Sequence, residues 1–295
     1  MVASGRYEDG WWQSPDGLKL HYRDYPGGPG AAGRPPLLCV PGLTRNARDF
    51  EALAERLSPG WRVICVDLRG RGESAVAPDS SSYALPAYLQ DIDALFAALG
   101  LERVVLIGTS LGGLIAMLMA LAGPDRLAGV LLNDIGPVLD AGGLGRIRSY
   151  VGRNASWPTW LHAARGIAEM QADVFPRYEL EDWLGMAKRV CRLTSAGRIV
   201  FDYDMRIAEP IREAPADAPP FDLWPAFEAL AGRPATLLRG DRSDLLSVAT
   251  AADMAARLPG LEAVTVPDVG HAPALDEPES TAAIDRLLER VIAGR

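Results

Sequence analysis

Lysine, histidine, cysteine and long apolar runs are all scarce in this chain, and each scarcity excludes something. Lysine occurs only at Lys19 and Lys188, and the formal net charge is −8. A chain of that sign has no basic face with which to neutralise phosphates, so no nucleic-acid partner is expected. The three cysteines, Cys39, Cys65 and Cys191, are odd in number and far apart. Cys39 and Cys65 lie inside apolar runs and read as small buried thiols, and no Cys-x-x-Cys pair or Cys/His cluster has metal-ligand spacing. No run approaches the ~18 apolar residues of a membrane span, and the first ten residues contain no apolar signal core. A cytoplasmic protein without a membrane partner is therefore expected. No stretch reads as a dimerisation helix, so the expected state is a monomer or homodimer. Histidine occurs only as His21, His162 and His271, so any histidine-dependent chemistry is a choice among three.

What is present is an alternation of short apolar runs with amphipathic segments. Trp11 to Tyr25 reads as a hairpin turning at Asp16-Gly17, and residues 26 to 36 form a Gly/Pro connector. Buried strands are expected at Leu37–Val40, 62 to 66, 103 to 107 and 127 to 135. Helices are expected at about 46 to 58 and around Leu85, Leu89, Ile92 and Phe96. Strands alternating with helices predict a parallel sheet covered on both faces. The alternation stops at residue 136. From there to about 230 the periodicity is helical, with no strand-like run, and the stretch ends in the Pro/Ala-rich residues 214 to 220. Strands at 235 to 239 and 263 to 266, and helices at 247 to 258 and 280 to 292, resume the pattern. The expected organisation is a core of residues 1–135 and 231–295 interrupted by a helical cap at 136–230.

The centre of the pattern is Leu106 to Met117, where an apolar strand meets an apolar helix at Gly108-Thr109-Ser110-Leu111-Gly112. This is a Gly-x-Ser-x-Gly elbow. A chain that turns from strand to helix this sharply forces its middle residue to positive φ, and only glycines beside it leave room. Ser110 would stand at the tip. The backbone N–H of Leu111 would face the same space as one oxyanion donor, and Leu43, after Pro41-Gly42, would supply the second.

A serine hydroxyl needs a base, and the base needs a carboxylate to orient it. His271, in the loop Asp268-Val269-Gly270-His271 beyond the last strand, falls at the same sheet edge as Ser110 and is the expected base. His21 and His162 read as structural. Three carboxylates are open: Asp244, Asp241 and Asp134. Asp244 ranks first, because it lies furthest along the turn after the strand at 235 to 239 and a Leu245-Leu246 pair could anchor it. Asp241 reads as a loop-capping carboxylate, while Asp134 ends the strand after the nucleophile helix.

These segments, with the loop Asp67-Leu68-Arg69-Gly70-Arg71-Gly72-Glu73-Ser74, resemble the α/β-hydrolase superfamily in its capped branch of esterases, lactonases and carbon–carbon hydrolases. The resemblance covers nearly the whole chain. It implies a mostly parallel sheet of about eight strands with helices on both faces and a helical cap inserted after the sixth strand. Pro41-Gly42 stands where the family commonly has His-Gly. By that resemblance a serine rather than an aspartate at the elbow argues against dehalogenase and epoxide-hydrolase chemistry. The expected activity is hydrolysis of a small, fairly apolar ester or lactone through an acyl-enzyme, with no metal or organic cofactor. Trp157, Trp160, Trp183 and Tyr203 are candidate walls of the substrate pocket. A carbon–carbon hydrolase of aromatic ring-cleavage products is the alternative, with Arg146, Arg148, Arg153 and Arg189 available to hold a dienoate carboxylate. A ligand-binding receptor with a vestigial hydrolase site is the second alternative. The Asp67/Arg69 loop reads as a packing and capping element.

Overall fold

Apolar runs flanked by glycine, proline and polar turns become the strands of one central sheet. In the computed structural model, which describes residues 7–213 and 222–294, the first half runs β1 (Glu8–Gln13), β2 (Lys19–Tyr25), β3 (Leu37–Val40), α1 (Glu51–Leu57), β4 (Val63–Asp67), α2 (Leu85–Leu99), β5 (Val104–Thr109), α3 (Leu111–Ala122) and β6 (Leu127–Asn133). An inserted segment follows: α4 (Ala141–Tyr150), β7 (Ser156–Trp157), α5 (Trp160–Gln171), α6 (Leu180–Val190), β8 (Cys191–Leu193), β9 (Ile199–Phe201) and α7 (Glu209–Glu213). The chain then continues through α8 (Trp224–Glu228), β10 (Ala235–Gly240), α9 (Val248–Arg257), β11 (Leu261–Val266) and α10 (Pro278–Ala293). The Pro/Ala-rich residues 214 to 220 and the first six residues lie outside the described part.

The eight strands are ordered β1-β2-β4-β3-β5-β6-β10-β11. The β1–β2 hairpin is antiparallel and joins the sheet through an antiparallel β2–β4 pair, while β4, β3, β5, β6, β10 and β11 run parallel. Strands β3, β4, β6 and β10 are buried along their whole length, as a sheet covered on both faces requires. Alternate residues feed two cores. Leu38, Val40, Ile64 and Leu106 pack with α2 and α3 on one face. Leu37, Cys39, Val63, Cys65 and Ile107 pack with α1 and α10 on the other. The three cysteines are buried free thiols. Among the described residues no helix is long and apolar enough to cross a membrane.

Two features depart from the expected helical cap at 136–230: the inserted segment contains an antiparallel sheet, ordered β7-β9-β8, and α8, expected within the cap, packs against α3 of the core. Strands of two or three residues are too short to display a period of two, so the sequence pattern hides them. The insertion is tied to the core where Gly72 N–H donates to the Asp202 carbonyl (3.1 Å) and Asp204 N–H to that of Gly70 (2.8 Å). The loop that receives it is held from below. Asp67 accepts from Ala47 N–H (2.7 Å), Glu73 N–H (3.0 Å) and His21 Nδ1 (2.7 Å). Arg69 is paired with Asp91 and Asp16. These contacts give the Asp67/Arg69 loop its packing and capping character.

Candidate active site

The site forms where β5, β6 and β10 end side by side. At the end of β5, Ser110 takes φ 51° and ψ −111° and caps α3, its carbonyl accepting from Gly113 N–H (2.9 Å) and Leu114 N–H (3.2 Å). The flanking glycines are there for space. A Cβ on Gly108 would lie 2.5 Å from the Gly112 backbone, and one on Gly112 would lie 2.1 Å from the Val40 carbonyl oxygen. No side chain fits at either position, so strand and helix close on each other and Ser110 is pushed into the open.

His271 meets Ser110 from the loop after β11, with Nε2 2.9 Å from Ser110 Oγ. Its Nδ1 lies 2.8 Å from Asp134 Oδ2. A carboxylate can only accept, so Nδ1 carries the proton and Nε2 is left as an acceptor for the serine hydroxyl. The loop's approach depends on Gly240, where a Cβ would lie 2.4 Å from the Val269 carbonyl oxygen. Asn133 Nδ2 donates to the Pro273 carbonyl (2.9 Å) and anchors the loop on its far side.

The structure corrects the choice of carboxylate. Asp134, not Asp244, faces His271. Register explains why: Thr109 pairs with Asn133 across β5 and β6, so Ser110 and Asp134 emerge as neighbours at the carboxyl edge. Asp134 is fully buried and accepts from Gly240 N–H (2.9 Å), the Ser243 hydroxyl (2.6 Å) and His271. Asp244 points away, forming a bidentate pair with Arg146 of α4 (2.5 and 2.9 Å), and this pairing holds its carboxyl below the usual carboxylate range. Asp241 accepts from Val269 N–H (3.2 Å) and caps the histidine loop. The signal for Asp134 was a carboxylate just past the apolar run Val130-Leu131-Leu132, on the strand beside the nucleophile strand.

The two amides singled out as oxyanion donors both border Ser110. Leu111 is the first residue of α3, where a helix leaves its amides without partners. Leu43 follows Gly42, whose added Cβ would lie 3.7 Å from Ser110 Cβ. Among the described residues neither amide is hydrogen-bonded to another protein group. Arg71, fully buried, donates from Nε to the Leu43 carbonyl (2.8 Å) and so fixes this turn, a contact the sequence did not reveal.

Above Ser110 and His271, the inserted segment encloses a cavity of about 530 Å³. Tyr203 lines it, as expected, along with Ile147, Tyr150, Met186 and Phe201. The three tryptophans do not. Trp183 is buried against Phe175 and Tyr178, and Trp157 packs edge-on to Phe201. Trp160 is half-buried against the core that packs with α1 and α10. His162 bonds Thr159 at the start of α5 and does not reach the cavity. A wider, shallow depression of about 840 Å³ lies at the opposite, amino-terminal edge of the strands, away from Ser110. Among the described residues no group of three or more His, Cys, Asp or Glu side chains converges as a metal site.

Comparison with known proteins agrees with this architecture. The model of the alpha/beta hydrolase fold family matches residues 35–278. A 3-hydroxybutyrate-oligomer hydrolase of Cupriavidus necator is 36% identical over 278 residues, covering 91% of this chain and 92% of its own. A 2-(acetamidomethylene)succinate hydrolase of Mesorhizobium japonicum is 26% identical, covering 80% of this chain and 81% of its own. Among solved structures, an alpha/beta hydrolase from Novosphingobium aromaticivorans superposes with a TM-score of 0.93 at 57% identity, covering 98% of this chain and all of that one. Fold, elbow and relatives converge: this chain belongs to the alpha/beta hydrolase fold family.

Proposed function

We propose that the protein hydrolyses carboxylic esters of short hydroxy acids, in particular small 3-hydroxyalkanoate oligomers, through an acyl-enzyme on Ser110. The observation that carries the reading is the hydrogen-bonded chain from Ser110 through His271 to Asp134, opening onto an enclosed cavity. The relative that cleaves 3-hydroxybutyrate oligomers supplies the substrate class, since this chain and that one match over nearly their full lengths.

The chemistry follows from the geometry. Ser110 Oγ attacks the ester carbonyl carbon as its proton passes to His271 Nε2. Asp134 stabilises the resulting imidazolium. The carbonyl oxygen, now negative, is received by the amides of Leu43 and Leu111, each such donor typically contributing about 3 kcal/mol. The carbon–oxygen bond to the alcohol part breaks, and His271 returns the proton to the departing alkoxide. Water then attacks the acyl-enzyme by the same route in reverse and frees Ser110 and the acid.

The test is steady-state cleavage of the linear 3-hydroxybutyrate dimer and trimer, followed by chromatography of the released monomer. Repeated turnover by the wild type and its loss in Ser110→Ala support the reading. Absence of turnover on both oligomers and on simple butyrate esters overturns it.

A further inference from the structure

Basic side chains line the cavity on the side of the Gly42 turn. Arg45 follows that turn, and Lys188 and Arg189 end α6; all three line the cavity. Arg45 is committed, donating from Nε (2.5 Å) and Nη2 (2.8 Å) to Asp49. Burial works against the charge of its guanidinium, but Asp49 overrides that, so Arg45 stays cationic. Arg189 approaches the same carboxylate only to 3.9 Å, and its guanidinium makes no hydrogen bond among the described residues. One carboxylate therefore serves two arginines. Arg189 Nη1 and Nη2, together with Nη1 of Arg45, have no hydrogen-bond partner among the described residues, and both side chains belong to residues that line the cavity.

The backbone of Arg189 is nonetheless anchored. Its backbone carbonyl accepts from Asn46 Nδ2 (3.0 Å) and Arg48 Nε (2.9 Å), which ties the end of α6 to the loop after β3. Arg48 itself is neutralised by buried Asp202 (2.6 Å). Of the acidic residues bordering the cavity, Glu51 accepts from Arg23 (3.2 Å) and Asp49 is shared as described, while Glu55 and Asp276 also border it. Their charges disfavour an anion spread along the wall, and the arginine pair, with two guanidinium groups to one carboxylate, is the place left with positive charge to spare.

A Cβ placed on Gly42 would have Arg45 Cγ at 3.6 Å and Ser110 Cβ at 3.7 Å, so the arginine stem and the serine flank the same small space. In a 3-hydroxyacyl ester, an oxygen, a methine and a methylene separate the ester carbonyl from the terminal carboxylate. Ser110, Arg45 and Arg189 line the same cavity, so an ester seated at Ser110 has a cationic wall for the free carboxylate of its alcohol part.

We propose that Arg189, braced beside Arg45 through Asp49, is the docking site for a free carboxylate on the leaving-group side of the ester, and that this makes the protein selective for esters of hydroxy acids over neutral esters. The proposal rests on the ester-hydrolysis reading above. It adds a specificity determinant, not a catalytic group.

The test compares kcat/KM for the 3-hydroxybutyrate dimer with that for its methyl ester, in wild type, Arg189→Gln and Arg189→Lys. A charge-assisted bond to a carboxylate is worth roughly ten-fold or more in binding. The wild type should prefer the acid by about that factor. Arg189→Gln should lower the ratio of acid to methyl ester about ten-fold through KM, and Arg189→Lys should restore part of it. Because Arg189 holds the fold through its carbonyl, which every substitution retains, loss of structure would lower both substrates together. An unchanged ratio in Arg189→Gln, or equal use of acid and methyl ester by the wild type, overturns the proposal and leaves the ester reading standing. If neither substrate is cleaved, the ester reading fails and the proposal with it.

Discussion

Replacing Asp134 with Asn tests the assignment of the carboxylate, because the structure leaves the amide no orientation that works. If the amide nitrogen takes the place of Oδ2, it donates to His271 Nδ1. The imidazole is then forced into the tautomer with a proton on Nε2, which faces Ser110 Oγ at 2.9 Å as a donor and cannot take its proton. If the amide nitrogen takes the place of Oδ1 instead, it confronts Gly240 N–H at 2.9 Å, donor against donor, at a site with no exposure to water. The first outcome is the wrong-tautomer defect, which lowers turnover by about 10⁴, or about 5 kcal/mol of transition-state stabilisation. Asp244→Asn removes only the pair with Arg146. Both partners of that pair are partly solvated, Asp244 being 38% exposed, so its loss should cost no more than about 1 kcal/mol of stability and leave turnover within a few-fold of wild type. Both variants would be assayed for kcat on 4-nitrophenyl butyrate, with thermal denaturation confirming that each is folded. Near-wild-type turnover in folded Asp134→Asn, with collapse in Asp244→Asn, would refute the reasoning.

Further expectations concern the frame around the site. Gly112→Ala places a Cβ 2.1 Å from the Val40 carbonyl oxygen, a backbone atom that cannot step aside, so it should destabilise the protein by about 1–3 kcal/mol or more in urea titration; an unchanged midpoint would contradict the close packing of elbow and β3. Trp183 belongs to the core of the inserted segment, so Trp183→Ala should cost about 3–5 kcal/mol of stability. Its KM at temperatures where it stays folded should change little, and a selective rise in KM without loss of stability would return Trp183 to the pocket wall. Burial opposes protonation of His21, but Asp67 at 2.7 Å and Asp9 at 2.9 Å outweigh it and raise its pKa above the ordinary 6.5. The folded state binds that proton more tightly than the unfolded chain, so the stabilisation is fully present below about pH 6.5 and fades as pH rises through the folded value. The stability difference between wild type and His21→Gln should therefore shrink as pH is raised from 6 upward; a difference that grows with pH would contradict the ion pairing.

The elbow and the histidine were legible because the constraints on them are local. Only glycine fits at 108 and 112, and His271 is the one histidine in a loop beyond a carboxyl strand end. The carboxylate was not, since Asp134, Asp241 and Asp244 all precede His271 in the chain. What separates them is which strand end stands beside Ser110, a matter of sheet order, and the presence of Arg146 on an inserted helix to claim Asp244. The tryptophans misled for a related reason. An aromatic on the apolar face of a helix has the same spacing whether that face meets a cavity or another helix, and Trp183 meets Phe175 and Tyr178. Arg189 entered the sequence reading only as one of several arginines; that its guanidinium has only a long ion pair follows from the sharing of Asp49 with Arg45, distant in the chain.

The most direct measurement is the steady-state rate of 4-nitrophenyl butyrate hydrolysis at neutral pH by wild type and by Ser110→Ala, with the acyl-enzyme sought by intact-protein mass spectrometry during turnover. The account predicts repeated turnover and a butyryl mass increment in the wild type, with both lost in Ser110→Ala. A Ser110→Ala protein that cycles at the wild-type rate would contradict it.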